Sequence, residues 1–303
     1  MTDRIAGVLA PVVTPFKPDY SVDAERFVRQ CRWLIDNHVS LAVFGTNSEA
    51  NSLAVDERME LLERLVESGI DPARIMPGTG CCSLVDSVRL SAHAVKLGCA
   101  GTLTLPPFYY KGVSDEGLFR SYAQIVERVD DPRLRIYLYH IPQVSQVPIT
   151  LALIERLLGA YPDNIAGIKD SSGDWSNTLS MLTRFAARGF DVFAGSENFL
   201  LANLRHGGKG CISATANVNP AAIHKLYAEW RNTDADARQA SLDAIRAIFQ
   251  KYPMIPALKQ AVAHWGGDAG WATVRPPLVE LTTEQAAALV RDLEAKGFSM
   301  PGL

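Results

Sequence analysis

The chain has 303 residues, of which 48% are hydrophobic and 21% charged, and this composition excludes a disordered chain. Thirty basic and 33 acidic residues give a net charge of −3, so we expect no surface for nucleic acid or for an anionic membrane. The five cysteines contain no C-x-x-C pair, which argues against a disulfide framework and against a zinc site. The opening segment MTDRIAGVLAPVVTPF does not resemble a signal peptide, and no apolar run approaches the ~20 residues that span a bilayer. We therefore expect a cytoplasmic protein.

Eight short apolar runs predict β-strands in the first two-thirds of the chain. They are residues 7–13, 41–45, 74–78, 101–105, 135–139, 165–169, 191–195 and 210–214. Amphipathic segments between them, such as residues 56–68 and 84–97, predict helices. This alternation favours a parallel α/β fold, a (β/α)8 TIM barrel. A doubly wound sheet is the alternative, although no G-x-G-x-x-G turn follows the first strand.

The last third of the chain predicts helices only. Residues 220–266 predict two or three helices, interrupted near Pro253 and at Pro256. A final helix over residues 283–296 opens with a capping box of Thr282 and Gln285 and ends at Gly297. Because no linker precedes this region, we expect a barrel core over residues 1–219 and a helical extension, residues 220–303, packed on it.

Polar residues at the ends of apolar strands are the candidates for chemistry, because parallel barrels place their active sites there. Lys169 follows such a strand. It is either a solvated surface lysine or an amine in the barrel mouth, where removal from water favours the nucleophilic neutral form. Tyr139, one strand away, is either a core aromatic or a general acid and base. The turn with Thr46 and Asn47 either binds a carboxylate through its N–H groups or is an ordinary helix cap.

The sequence resembles the dihydrodipicolinate synthase / N-acetylneuraminate lyase family of pyruvate-dependent class I aldolases, over nearly the whole chain. The motifs that carry the resemblance are GTNSE (residues 45–49), PFYYKGVSDEGL (107–118), YHIP (139–142), GIKDSSGD (167–174) and GGKGCISATAN (207–217). Five ordered motifs at family-like spacing make a chance similarity implausible.

The resemblance implies a role for each matching residue. Lys169 would form the Schiff base, and Tyr139 would move protons. Thr46 would link Tyr139 to Tyr110, a tyrosine that in this family reaches across a dimer interface into the neighbouring site. The implied assembly is a homotetramer, a dimer of dimers. The implied partner is a small 2-oxo acid, and the covalent imine makes a cofactor or metal unnecessary.

The resemblance also implies the substrate contacts. Thr46 and Asn47 would hold the carboxylate of pyruvate, and Ile212 would place its backbone carbonyl near it. The residues that match the loop contacting the distal part of the substrate are Gly195, Ser196, Glu197 and Asn198.

The sequence departs from the family pattern at four places. Asn47 replaces a threonine but can still donate hydrogen bonds to a carboxylate. Ser48 replaces a glycine, which restricts the turn if a positive φ is needed there. His140 stands where asparagine is usual and is either structural or a substrate contact. Val144 occupies the position of an arginine that grips the carboxylate of aspartate semialdehyde in the synthases, and valine cannot replace that contact. The residues left to form a polar acceptor pocket are Gln143, Ser145, Ser196, Glu197 and Asn198.

We therefore predict a lyase that cleaves a 2-oxo-3-deoxy sugar acid, or a 4-hydroxy-2-oxo acid, reversibly into pyruvate and an aldehyde, or that performs the related dehydration. The first alternative is 4-hydroxy-tetrahydrodipicolinate (dihydrodipicolinate) synthase. The others are a metal-dependent barrel lyase, for which no cluster of His, Asp and Glu at strand ends is visible, and a non-catalytic binding protein.

Overall fold

The computed structural model describes residues 4–303. Met1, Thr2 and Asp3, which begin the segment judged above not to be a signal peptide, lie outside the described residues. The strands of residues 4–303 are β1 (Gly7–Ala10), β2 (Ser40–Leu41), β3 (Thr102–Thr104), β4 (Ile136–His140), β5 (Ile165–Asp170), β6 (Asp191–Ala194) and β7 (Gly210–Ile212). The helices are α1 (Ala24–Asp36), α2 (Val55–Glu67), α3 (Leu84–Lys96), α4 (Asp115–Val129), α5 (Pro142–Ser145), α6 (Leu151–Ala160), α7 (Trp175–Phe185), α8 (Leu200–Arg205), α9 (Pro220–Ala228), α10 (Ala235–Phe249), α11 (Met254–Trp265) and α12 (Thr283–Glu294).

The described chain divides into two compact units. The first contains residues 4–6 and 71–211, and its strands form a parallel sheet in the order β3-β4-β5-β6-β7. The second contains residues 7–70 and 212–303, and in it β1 and β2 pair in parallel. Each strand is connected to the next through at least one helix, so the predicted parallel α/β class is confirmed.

The central strands of the first unit are buried on both faces. Every residue of β4 and β5 is buried, as parallel strands covered by helices require. On one face, Ile136 and Leu138 of β4 join Ile168 of β5 in a large apolar core that includes residues of α4, α6 and α7. Truncating such a fully buried side chain, for example Leu138→Ala, typically costs about 2–5 kcal/mol. The opposite face carries the polar residues considered below.

The predicted strand over residues 74–78 is wrong, because the described residues contain no regular strand there. Single bridge residues stand at Ile75 and Gly78, and the bridge at Gly78 pairs it in parallel with Leu103. Two hydrogen bonds accompany it: Leu103 N–H donates to the carbonyl of Pro77 (2.9 Å), and Thr79 N–H donates to the carbonyl of Leu103 (3.0 Å). Pro77 has no N–H to donate, which limits the ladder to these contacts.

The helices of the C-terminal segment agree with the prediction, with one correction. Helices α9, α10 and α11 occupy residues 220–266, and the capping box is present: Gln285 N–H donates to Thr282 Oγ1 (3.2 Å), and Thr282 N–H donates to Gln285 Oε1 (3.0 Å). The predicted interruption at Pro256 is wrong. Pro256 lies in the first turn of α11, where a backbone N–H has no partner within the helix, so proline is tolerated there.

None of the helices within residues 4–303 is both long enough and apolar enough to cross a lipid bilayer.

Candidate active site

Lys169 and Tyr139 lie side by side on neighbouring strands of the first unit. Tyr139 of β4 is the register partner of Lys169 of β5, and Lys169 Nζ lies 4.2 Å from the centroid of the tyrosine ring. Both residues are buried, with 2% of each exposed. The structure therefore places together the two residues that the sequence predicted to carry the chemistry.

A shift of one residue in the strand register produces this alignment. Ile136 pairs with Ile165, but Tyr137 pairs with Gly167, so Ala166 has no partner in β4. Without the shift, Tyr139 would oppose Ile168, and Lys169 would lie on the other face of the sheet relative to it. The shift instead brings the tyrosine and the lysine to the same face at the ends of their strands.

A glycine makes room for the aromatic side chain below the pair. A Cβ at Gly167 would lie 2.3 Å from the carbonyl oxygen of Asp191 and 2.9 Å from Cδ1 of Tyr137. Tyr137 is fully buried, donates to Asp191 Oδ2 (3.3 Å) and packs edge-on against Phe193. Burial raises the pKa of the Asp191 carboxyl, and the neighbouring guanidinium of Arg4 opposes this effect. The side chains of Tyr137, Asp191 and Phe193 thus pack together beneath Gly167.

The Lys169 amine forms no ion pair with any other residue in the range 4–303. This distinguishes it from Lys259 of the second unit, whose side chain is also fully buried but whose Nζ lies 2.6 Å from Glu49 Oε1. A buried charge is normally paired, because removal from water is costly. An amine buried without a carboxylate partner is suited to react as a nucleophile.

Asp170 organises the loop that follows Lys169. Its carboxylate accepts hydrogen bonds from Ser172 N–H (2.9 Å), Asn177 Nδ2 (3.1 Å) and Thr178 Oγ1 (2.6 Å). Its backbone carbonyl accepts one from Gly195 N–H (2.7 Å). These contacts connect the ends of β5 and β6, so the loop around residues 195–197 is fixed relative to Lys169.

Gly195 begins this loop at a position where no side chain fits. A Cβ there would lie 2.1 Å from Ser171 Oγ and 2.7 Å from the carbonyl oxygen of Asp170. Ser196 accepts a hydrogen bond from Asn198 N–H, and Glu197 is buried. The four predicted residues of the loop thus follow the strand next to that of Lys169, but their contact with a substrate stays a prediction.

His140, which the sequence alone left as either structural or a substrate contact, makes a structural hydrogen bond. Its Nδ1 accepts a hydrogen bond from Ile149 N–H (3.0 Å), so this nitrogen carries no proton. Burial lowers the pKa of His140, and the neighbouring carboxylate of Asp170 opposes this effect. Because His140 follows Tyr139 directly, the contact fixes the end of β4 against the segment after α5.

The short helix α5 contains two of the predicted acceptor-pocket residues, Gln143 and Ser145. Ser145 is buried, and its hydroxyl donates to the carbonyls of Ile141 (3.0 Å) and Val147 (3.2 Å), so it stabilises the loop, and its place in an acceptor pocket stays a prediction. Val144 is 60% exposed. Gln143 Nε2 donates to the carbonyl of Ser172.

Tyr110 stands apart from the buried pair in this chain. It is 71% exposed and packs edge-on against Tyr109, which is 74% exposed, with ring centroids 5.4 Å apart. The role of Tyr110 across an interface stays a prediction.

In the second unit, Thr46–Ser48 forms a single 3-10 turn. Ser48 is buried; its hydroxyl accepts from Gly45 N–H (3.2 Å), and its carbonyl accepts from Thr14 Oγ1 (2.7 Å). The left-handed residue of the turn is Glu49, with φ 56°, so the serine at position 48 causes no backbone strain. Thr46 and Asn47 are half-buried.

Ile212 ends β7, and the next residue, Ser213, donates its N–H to the carbonyl of Leu9 in β1 (3.1 Å). Sequence reasoning missed the buried pair of Glu49 and Lys259 in this unit. The signal available was the position of Lys259 within the apolar stripe of α11, between Ile255 and Val262.

Three comparisons with known proteins found similar sequences and structures. The model of the "Dihydrodipicolinate synthetase family" matches residues 4–296. An uncharacterized DapA-like lyase of Chloroflexus aurantiacus is 33% identical over 93% of this chain and 94% of its own length. The dihydrodipicolinate synthase of Agrobacterium tumefaciens superposes with a TM-score of 0.89 at 31% identity, covering 96% of this chain and 99% of the other.

A further similar structure is YagE of E. coli K12, a prophage protein of the dihydrodipicolinic acid synthase family solved in complex with pyruvate. Its TM-score is 0.88 at 27% identity, covering 97% of this chain and 99% of that one. The predicted TIM-barrel fold is confirmed by these matches, although one strand is reduced to a bridge. The chain is a lyase and belongs to the dihydrodipicolinate synthetase family.

Proposed function

We propose that the protein is a class I lyase in which Lys169 forms an imine with a 2-oxo acid such as pyruvate. The observation that carries the proposal is the buried Lys169 amine, which has no ion pair in the described chain and lies over the ring of Tyr139. The pyruvate complex of the similar protein YagE supports the same ligand class. The covalent imine is the proposed electrophile, so we propose no cofactor and no metal.

The proposed mechanism begins with attack of the neutral Lys169 amine on the C2 ketone. Loss of water from the carbinolamine gives the iminium. Acting as the general base, Tyr139 takes the proton of the C4 hydroxyl, the C3–C4 bond breaks, and its electrons move into the iminium to give an enamine and an aldehyde. Protonation of the enamine at C3, followed by hydrolysis of the imine, releases pyruvate and restores the lysine.

We propose that Thr46 and Asn47 bind the carboxylate of the 2-oxo acid, with the backbone carbonyl of Ile212 near it. Thr46 would relay protons between Tyr139 and Tyr110 of a neighbouring copy. The exposed ring of Tyr110 supports this assignment. It requires an oligomer, and we propose a homotetramer of paired dimers located in the cytoplasm. We also propose residues 1–219 as the catalytic core and residues 220–303 as its extension.

We propose a hydroxylated aldehyde as the second product. The loop residues Ser196, Glu197 and Asn198 supply polar groups, whereas Val144 supplies none. Dehydration of a 2-oxo-3-deoxy acid through the same enamine belongs to the same proposal. The experiment is to incubate the enzyme with a panel of 2-oxo-3-deoxy sugar acids and to follow the release of pyruvate. Turnover of at least one of them is expected, and no turnover of any would contradict the proposal.

The second candidate is 4-hydroxy-tetrahydrodipicolinate synthase, favoured by the likeness to the Agrobacterium tumefaciens synthase. The two candidates differ in whether the acceptor aldehyde carries a carboxylate. Condensation of pyruvate with aspartate semialdehyde is the direct test. If Val144 limits this reaction, Val144→Arg will raise its kcat/KM, because a guanidinium can bind a carboxylate with two hydrogen bonds.

A further inference from the structure

The turn that holds Thr46 and Asn47 is a strained segment of the second unit. Phe44 and Glu49, which flank it, have left-handed backbones with φ of 61° and 56°. Non-glycine residues adopt this conformation at a cost and keep it only where surrounding contacts fix it. Two consecutive 3-10 turns, Thr46–Ser48 and Ala50–Ser52, meet at Glu49. The contacts of Glu49 therefore help to fix the shape of the turn.

Both carboxylate oxygens of Glu49 are held from the C-terminal segment. Lys259 Nζ lies 2.6 Å from Oε1, and Arg275 N–H donates to Oε2 (2.9 Å). The Glu49 and Lys259 side chains are both 0% exposed, and Lys259 Nζ also lies 4.5 Å from the centroid of the Phe16 ring. Burial lowers the pKa of Lys259, and the Glu49 carboxylate opposes this effect.

Arginine side chains hold the residues that follow Glu49. Arg275 binds Glu57 through two hydrogen bonds, of 2.7 and 2.9 Å, and donates to the carbonyl of Ser52. Arg58 is buried and donates to the carbonyl of Ala50. These contacts hold the second of the two 3-10 turns. Glu49 joins it to the first, which Ser48 also holds through Gly45 N–H and Thr14 Oγ1.

We propose that the buried pair of Glu49 and Lys259 positions the Thr46–Asn47 turn for binding the substrate carboxylate. This inference rests on the proposed function, which assigns the carboxylate to that turn. Lys259 is then a positioning residue that acts through Glu49. Removing the ammonium leaves an uncompensated buried carboxylate, which either takes up a proton or moves toward water. Both responses release the strained backbone at Glu49.

The test compares Lys259→Met with the matched control Lys251→Met. Lys251 also forms a close ion pair, with its Nζ 2.9 Å from the carboxylate of Asp292, but it is exposed and far along the chain from the turn. Two quantities are measured in each variant. One is the rate of borohydride trapping as a function of pyruvate concentration. The other is hydrogen exchange of the peptide that covers residues 45–53.

For Lys259→Met we expect the half-saturating pyruvate concentration to rise about tenfold, with a limiting trapping rate within about threefold of the wild type. We also expect faster exchange in residues 45–53. Lys251→Met should change neither quantity. Glu49→Gln, which keeps an acceptor for Arg275 N–H, should change both quantities in the same direction but by less. It replaces Lys259→Met as the test variant if Lys259→Met does not fold.

Lower thermal stability with unchanged half-saturation and unchanged exchange would overturn the inference, because it is the result of a merely structural pair. The exchange measurement does not depend on catalysis. If the wild type forms no pyruvyl adduct, the proposed function fails, and exchange in residues 45–53 still decides whether the pair holds the turn.

Discussion

Lys169 faces Tyr139 because the pairing of β4 with β5 shifts by one residue at Ala166. The lysine nitrogen lies 4.2 Å from the centroid of the tyrosine ring, within the range of a cation–π contact. In the proposed mechanism, the phenol beside this amine moves protons to and from the substrate. The distance therefore fits both a resting contact and a role for Tyr139 in moving protons.

Tyr139→Phe tests that role. The variant keeps the ring that packs on Lys169 but lacks the hydroxyl, so imine formation at the amine should survive in reduced yield while cleavage slows. We expect kcat to fall by about 10²–10⁴-fold, the usual range for loss of a general acid or base. Two assays are compared: steady-state turnover of a 2-oxo-3-deoxy acid, which reports cleavage, and borohydride trapping with pyruvate, which reports imine formation.

Tyr122→Phe is the matched control, since Tyr122 is also buried and its hydroxyl donates only to the carbonyl of Thr104 (3.3 Å). This control should lose about 1 kcal/mol of stability and little activity. Equal activity of Tyr139→Phe and Tyr122→Phe would show that the Tyr139 hydroxyl takes no part in the reaction.

His140 gives the protein a pH-dependent stability. Its Nδ1 must be unprotonated to accept from Ile149 N–H, and burial lowers its pKa from 6.5. The unfolded chain therefore binds the proton first, so the stabilising contribution is complete above pH 6.5 and is lost as the pH falls through the lower folded value. The free energy of unfolding, measured in urea at about pH 8 and about pH 5.5, should decrease at the lower pH.

Two variants separate the hydrogen bond from the titration. His140→Asn can accept from Ile149 N–H through Oδ1 but does not titrate, so it should keep most of the stability and lose part of the pH dependence. His140→Leu leaves the buried N–H of Ile149 without an acceptor and should cost about 1–3 kcal/mol at about pH 8. If both variants show the pH dependence of the wild type, another group is responsible.

Gly195→Ala tests whether the loop after β6 must approach β5 closely. The new Cβ would meet Ser171 Oγ at 2.1 Å and the Asp170 carbonyl at 2.7 Å, and a backbone oxygen cannot move without displacing the strand that carries Lys169. We expect a loss of about 1–3 kcal/mol and at least about tenfold in kcat/KM. Gly159→Ala, in α6 with nothing within 4 Å of its Cβ, should be slightly stabilising. Similar effects at both glycines would refute the argument.

The parts of the fold that sequence predicted best are those with a continuous local signal. The apolar run that ends at Lys169 is found as β5 within one residue, because a strand buried on both faces has few polar positions. The run at residues 74–78 looked similar, but Pro77 limits the hydrogen bonds that a ladder needs. Pairing is a property of two segments, and one segment alone does not reveal it.

In the candidate site, too, local sequence signals predicted some features and missed those that depend on pairing between distant segments. Lys169 and Tyr139 could be found because each ends a predicted strand, and strand ends meet in a parallel sheet. The register shift at Ala166 has no sequence signal. Glu49 and Lys259 are 210 residues apart, so no local pattern connects them, although a lysine in the apolar stripe of α11 indicated a buried charge that needed a partner.

Borohydride reduction in the presence of pyruvate, followed by intact mass and peptide mapping, tests the central claim most directly. Residues 4–303 contain two buried lysines, Lys169 without an ion pair and Lys259 bound to Glu49, and only the first should react. We expect one pyruvyl group on the peptide that contains Lys169 and none in Lys169→Met, whose turnover should fall by more than about a thousandfold. An adduct on Lys259, or full turnover by Lys169→Met, would contradict the account.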